Sequence, residues 1–147
     1  MMKNPQKIKR INLPLNDHDI PVILGIVSTD QDYKLTLKLN IKLSVSLKNE
    51  HPVVVNENDG NINQFSRFLF SVPGNDTIYQ LISNRTGKSF LIKKLKNIDY
   101  LLLIADAGRT VQYEKIITAL REIDSVSGVF NISYESISKD KNIGFLI

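Results

Sequence analysis

The run Leu101-Leu102-Leu103-Ile104 is the most apolar in the chain and does most to limit the folds open to it. It closes the stretch 91–106, LIKKLKNIDYLLLIAD, after a lysine-rich step at Lys93, Lys94 and Lys96. Four to eight continuous apolar residues bounded by turn signals fit a strand covered on both faces. Crossing a bilayer takes about 20, so this run is core and no membrane partner is expected. The rest of the chain must supply a layer for each side of that strand. With 147 residues it can do so as one domain.

Composition removes several classes of function. There is no cysteine, hence no disulfide framework, thiolate zinc site or cysteine nucleophile. Residues 1–19, MMKNPQKIKRINLPLNDHD, lack the unbroken apolar core of a signal peptide, so a cytoplasmic protein is expected. The net charge of +4 invites a nucleic-acid partner. The basic residues are mainly lysine, however, with five arginines, in a chain also rich in Asn and Ile. An AT-rich genome produces that composition without functional demand. Nucleic-acid recognition draws on more arginine and on clustered aromatics, so such a partner is possible but not the preferred one.

Along the chain, residues 1–16 read as a loose basic arm (Lys3, Lys7, Lys9, Arg10), with 8–13 able to add a short strand, and 17–147 as a single domain. The segment 20–28, IPVILGIVS, reads as a strand in which Gly25 marks close backbone approach. Residues 28–32, STDQD, offer helix-capping side chains and early acidic charge. From Tyr33 to Leu47 every odd position is apolar. Strict alternation argues for a strand. Fifteen residues is long for one, and Leu and Lys favour helix. On a helix, Lys34, Lys38 and Lys42 would form one basic stripe. The residues alone leave helix and strand open.

Residues 48–63 read as a polar connector containing Pro52 and the turn Asp59-Gly60. Residues 65–72 and 77–84 read as a hairpin around Pro73-Gly74-Asn75-Asp76, and 85–88 as a second turn into 89–92. A strand at 99–105 follows. Thr110 is placed to cap a helix over 111–123, whose Tyr113, Ile116, Ile117, Leu120 and Ile123 share one face. A turn at 124–128, a strand at 129–133, a helical turn at 134–138 and an apolar tail at 143–147 complete the chain.

Motifs for chemistry are few. Gly87-Lys88-Ser89 mimics the end of a phosphate-binding loop, but the glycine needed five residues earlier is Ile82 and no helix follows, so a hairpin turn is expected. His18 and His51 are far apart, Asp17 and Asp19 read as a solvated turn, and no metal site or cofactor is expected. No nucleophile elbow, triad spacing or dinucleotide fingerprint occurs, so no catalytic residue is named. Two Asp-Tyr pairs, Asp32-Tyr33 and Asp99-Tyr100, read first as capping carboxylates beside buried rings. Alternatively, they meet in a polar pocket at the sheet edge.

With these residues in view, the chain resembles a bacterial family named for its signature IPExxxVDY. The matching stretch is Ile92-Lys93-Lys94-Leu95-Lys96-Asn97-Ile98-Asp99-Tyr100, with Lys93 and Lys94 in place of the Pro and Glu. Residues 24–40 (LGIVSTDQDYKLTLKLN), 81–87 (LISNRTG) and 130–146 (FNISYESISKDKNIGFL) match further blocks in the same order. Together they span nearly all of the chain after Asp19. The family carries no established activity. It implies a helix over 30–45, and the missing Glu counts against a catalytic glutamate there.

The expected fold is α+β: a mostly antiparallel sheet with two main helices on one face, in ferredoxin-like order with an added hairpin. Fold does not give function. The first functional expectation is a non-enzymatic binding or adaptor domain acting through a macromolecular partner, another protein or a second copy. It requires a solvent-facing apolar or basic patch, with Lys34, Lys38, Lys42, Lys93, Lys94 and Lys96 as basic candidates. The second is a small-ligand regulatory domain whose pocket is lined by Asp32, Tyr33, Asn40, Asn84, Asp99 and Tyr100. RNA association is a further alternative.

Overall fold

The covered strand is central. A computed structural model describes residues 20–147. The chain runs β1 (Val22–Ser28), α1 (Asp32–Leu43), β2 (Lys48–Asn56), β3 (Ile62–Ser71), β4 (Thr77–Ser83), β5 (Arg85–Thr86) and β6 (Ser89–Phe90). It continues through β7 (Tyr100–Asp106), α2 (Tyr113–Arg121), β8 (Val126–Ile132), α3 (Tyr134–Ile137) and a 3-10 turn at Ile143–Phe145. Six strands form one sheet in the order β2-β3-β4-β7-β1-β8, while β5 and β6 pair separately as a small hairpin. Every neighbouring pair in the large sheet is antiparallel. Because β7 and β8 both run antiparallel to β1, they are parallel to each other, and α2 carries the chain across β1. That is the split crossover of a ferredoxin-like order, here extended at one edge by β2 and β3.

The apolar run explains its own position. Tyr100, Leu102 and Ile104 of β7 face one layer, and Leu101 and Leu103 face the other. The first layer is helical. Leu35 and Leu39 of α1 and Ile116, Ile117 and Leu120 of α2 pack there on Leu24, Ile26, Leu81 and Leu102. Each such side chain contributes about 1.5–3 kcal/mol by leaving water. The second layer contains little regular structure. Residues 91–98 and the C-terminal segment cover the sheet with Leu91, Ile92, Ile98, Ile137 and Leu146.

Several expectations hold with shifted bounds. Residues 32–43 are helical, and the 87–88 turn joins a hairpin in which Gly87 takes φ +57°. Three need correction. The expected connector at 48–63 is largely strand, because β2 is an edge strand that buries only Val53 and Val55 and leaves its other residues in solvent. Pro52 falls at a register shift between Glu50 and Val53, where an edge strand tolerates a missing N–H. The strand expected at 129–133 begins three residues earlier, at Val126.

Thr110 does not cap α2. Its hydroxyl donates to Asp106 Oδ1 at 3.2 Å, and Asp106 Oδ2 accepts from the Val111 N–H at 2.8 Å. Burial would raise the Asp106 carboxyl, but the N–H groups of Val111 and Thr110 and the hydroxyls of Thr77 and Thr110 outweigh it and hold it below the ordinary value. Asp106 therefore ties the end of β7 to the start of α2. The arm at 1–16 and Asp17, His18 and Asp19 lie outside the described residues.

Gly25 is where β1 meets the covering segment. A Cβ there would lie 2.9 Å from Ile98 Cδ1 and 3.3 Å from Ile132 Cδ1. Gly25→Ala should cost about 1–3 kcal/mol by overpacking this layer, read from urea unfolding midpoints; an unchanged midpoint would show that the layer yields freely.

Candidate functional site

The sequence singled out six polar residues, and four of them hold backbone in place. Asn84 is fully buried. Its Nδ2 donates to the carbonyls of Leu95 at 2.8 Å and Ile98 at 3.0 Å, and its Oδ1 accepts from the Ile92 N–H at 2.9 Å. Asn40 closes the turn after α1, donating to the Leu47 carbonyl and accepting from the Leu47 N–H. Asp99 Oδ2 accepts from the Ser28 N–H at 3.0 Å, and its Oδ1 pairs with Arg85. The buried Tyr100 donates its hydroxyl to the Asp30 carbonyl at 2.6 Å.

Asp32 and Asp99 act on Tyr100 through their charge, with no hydrogen bond joining the three side chains. Burial first, then the charges of Asp32, Asp99 and Asp30, push the Tyr100 hydroxyl up to about 12, with Arg85 opposing them. The Asp32 carboxylate accepts from the N–H of Tyr33 at 2.6 Å, and the Tyr33 ring lies outside, half exposed. Five surface concavities of about 230–440 Å³ are lined by none of these six residues.

The basic candidates divide. Lys38 Nζ lies 2.8 Å from Asp30 and 3.3 Å from Asp124, and Lys42 Nζ lies 3.0 Å from Glu122. The Lys38 ammonium holds the Asp30 carboxyl below its usual value, and Asp30 in turn raises Lys38. These ion pairs clamp α1 against the end of α2. Lys34 stays in solvent and acts on Asp30 at longer range. Lys94 Nζ donates to the Ser136 carbonyl, whereas Lys93 and Lys96 line a shared concavity.

The ambiguous alternation at 33–47 produces the main surface feature. On a helix, a period of two divides into two opposite stripes, since residues four apart share a face. Leu35 and Leu39, with the partly buried Leu43, form the inner one. Tyr33, Leu37 and Ile41 form the outer one and are 53%, 60% and 81% exposed. The outer stripe borders Lys34, Lys38 and Lys42. Leu37 and Ile41 were not among the expected site residues, although the alternation itself was the signal for them.

No family model matches the chain. Neither does any curated protein or solved structure. Among the described residues no helix is long and apolar enough to cross a membrane, and none of the groups of three or more His, Asp or Glu side chains is placed to hold a metal ion.

Two outcomes test the polar network. Asn84→Ala should cost roughly 2–4 kcal/mol in chemical unfolding, because it strands buried backbone groups. A loss below about 0.5 kcal/mol would mean that water replaces the amide. Tyr100 ionises more easily in the unfolded chain, so its contribution is complete below about pH 10 and is lost as pH rises toward about 12. Tyr100→Phe should flatten that alkaline loss, measured as unfolding free energy against pH; an unchanged slope would place the titrating group elsewhere.

Proposed function

We propose that this chain is a non-enzymatic binding domain that presents the outer face of α1 to a protein partner. The observation that carries it is the stripe Tyr33-Leu37-Ile41, three large apolar side chains left in water on a helix already packed on its other side. Helices that lie in a partner's groove use anchors at this spacing. Burying Leu37 and Ile41 would contribute about 1–2 kcal/mol each. The partner that fits has an apolar groove with an acidic rim beside Lys34. A second copy fits less well, since antiparallel packing of α1 on its own copy sets the lysine flanks against each other.

The small-ligand alternative finds less support, because the polar groups around Tyr100 already bond to backbone and to one another. For RNA, the basic candidates are divided between helix clamps and a separate concavity. A cytoplasmic setting belongs to the same proposal, as does kinship with the IPExxxVDY family. What supports the kinship is four blocks in one order, whose Asn40, Asn84, Asp99 and Tyr100 each bond to backbone beyond their own element.

A photo-crosslinking amino acid at position 37 of the full chain should trap a protein in cells. Leu37→Glu should reduce capture of that protein at least about tenfold while leaving thermal unfolding unchanged. Lys139→Glu, exposed in the C-terminal segment on the opposite face of the sheet, should leave both unaffected. Capture indifferent to Leu37→Glu would refute the proposal, and a crosslinked species of twice the chain mass would move it to self-association.

A further inference from the structure

A second site, independent of α1, lies where three loops meet. The β2–β3 turn, the β5–β6 hairpin and the covering segment 91–98 enclose a concavity of about 400 Å³. We propose that it binds a small phosphorylated ligand carrying a flat ring, of the nucleoside-phosphate class.

Charge is the first argument. Lys88, Lys93 and Lys96 line the concavity together with Glu57 and Asp59. Glu57 is committed: its carboxylate lies 3.4 Å from Lys141 and 3.7 Å from Lys93. Burial would raise its carboxyl, but Lys141, Asn63 and Lys93 outweigh that and keep it ionised. Asp59 accepts from both the backbone and the side-chain N–H of Asn61 within the turn. Lys88 and Lys96 have no acidic partner among the described residues. Three ammonium groups of the lining therefore face two carboxylates, and with Lys93 and Lys141 sharing Glu57, Lys88 and Lys96 are left to meet an anionic ligand such as a phosphate.

Donor type is the second argument. A lysine ammonium is a compact point charge with three donors and serves a tetrahedral phosphate, as the flat fork of arginine serves phosphate and carboxylate alike. The lining holds lysines and no arginine. Arg85 is engaged elsewhere, with its guanidinium 5.6 Å from the Phe90 ring centroid and bonded to Asp99. Phe90 forms part of the wall, and Arg85 backs one face of its ring. An aromatic wall of this kind stacks a base. The volume lies in the range of small-ligand sites, about 300–1,000 Å³. Gly87-Lys88-Ser89 thus lacks the architecture of a phosphate-binding loop, yet its lysine and serine line this concavity.

The test is an amide NMR titration of the full chain with inorganic pyrophosphate and, separately, with ADP. Saturable shifts should be confined to residues 57–63 and 88–96, with ADP the tighter by about tenfold through Phe90. Lys88→Glu with Lys96→Glu, both at exposed positions, should weaken either probe at least about tenfold. Phe90→Ala should remove the advantage of ADP. Lys115→Glu, exposed on α2, alters charge elsewhere and should leave both affinities within about twofold. No saturable shifts with either probe, or an equal loss with Lys115→Glu, would overturn the site. Equal affinity for the two probes would overturn the ring-binding part. Displacement of ADP by polyuridylate at lower nucleotide concentration would overturn the small-ligand assignment in favour of RNA.

Discussion

The amide of Asn84 holds together a layer that has almost no regular structure of its own. The sheet's second face is covered mainly by residues 91–98, which must turn back over β1 and β7 without a hydrogen-bonded ladder. Their backbone groups need partners, and Asn84 supplies three: two carbonyls accept from its Nδ2 and one N–H donates to its Oδ1. Asp99 continues the arrangement, since its own N–H donates to the Ile26 carbonyl at 3.0 Å while its carboxylate takes the Ser28 N–H. Once these bonds are made, Leu91, Ile92 and Ile98 are held against Ile23, Leu101 and Leu103. Leu101–Ile104 can then be apolar on both sides.

Polar residues at the end of β1 and the start of α1 extend the same logic. Tyr100 reaches across to the Asp30 carbonyl, and Asp30 pairs with Lys38 of α1. Lys38 also reaches Asp124, and Lys42 reaches Glu122 just beyond α2. Exposed ion pairs contribute little individually, about 0–1 kcal/mol. They nonetheless orient α1, whose inner stripe is only Leu35, Leu39 and part of Leu43. A helix held by so narrow a seam leaves its other apolar stripe in water.

Much of the architecture was legible in the residues. The strand at β1, the Pro73-Gly74 and Gly87 turns, the apolar face of α2 and the antiparallel α+β order all follow from local periodicity and turn chemistry. β2 was not legible, because an edge strand needs only one half-buried face and its polar residues match a loop. The mistaken Thr110 cap has a similar cause. Thr110 is the right residue type at the right offset, but Asp106 reaches both it and the Val111 N–H through the tertiary fold. At the polar site, the residue types Asn84, Asp99 and Tyr100 were identifiable, while their backbone partners are 8 to 71 positions away in sequence.

The amino-acid sequence by itself determined a doubly covered strand at Leu101–Ile104, a second helix with one apolar face, and an apolar alternation over 33–47. Only the tertiary structure decided what that alternation means. Local propensity and periodicity pull in opposite directions there. Burial against β1 and β7 rewards the helix through Leu35 and Leu39, even though it leaves Tyr33, Leu37 and Ile41 in water. The lysines divide for the same reason. Lys38 and Lys42 become clamps and Lys88, Lys93 and Lys96 become neighbours because the fold brings distant segments together, and no spacing along the chain records that proximity.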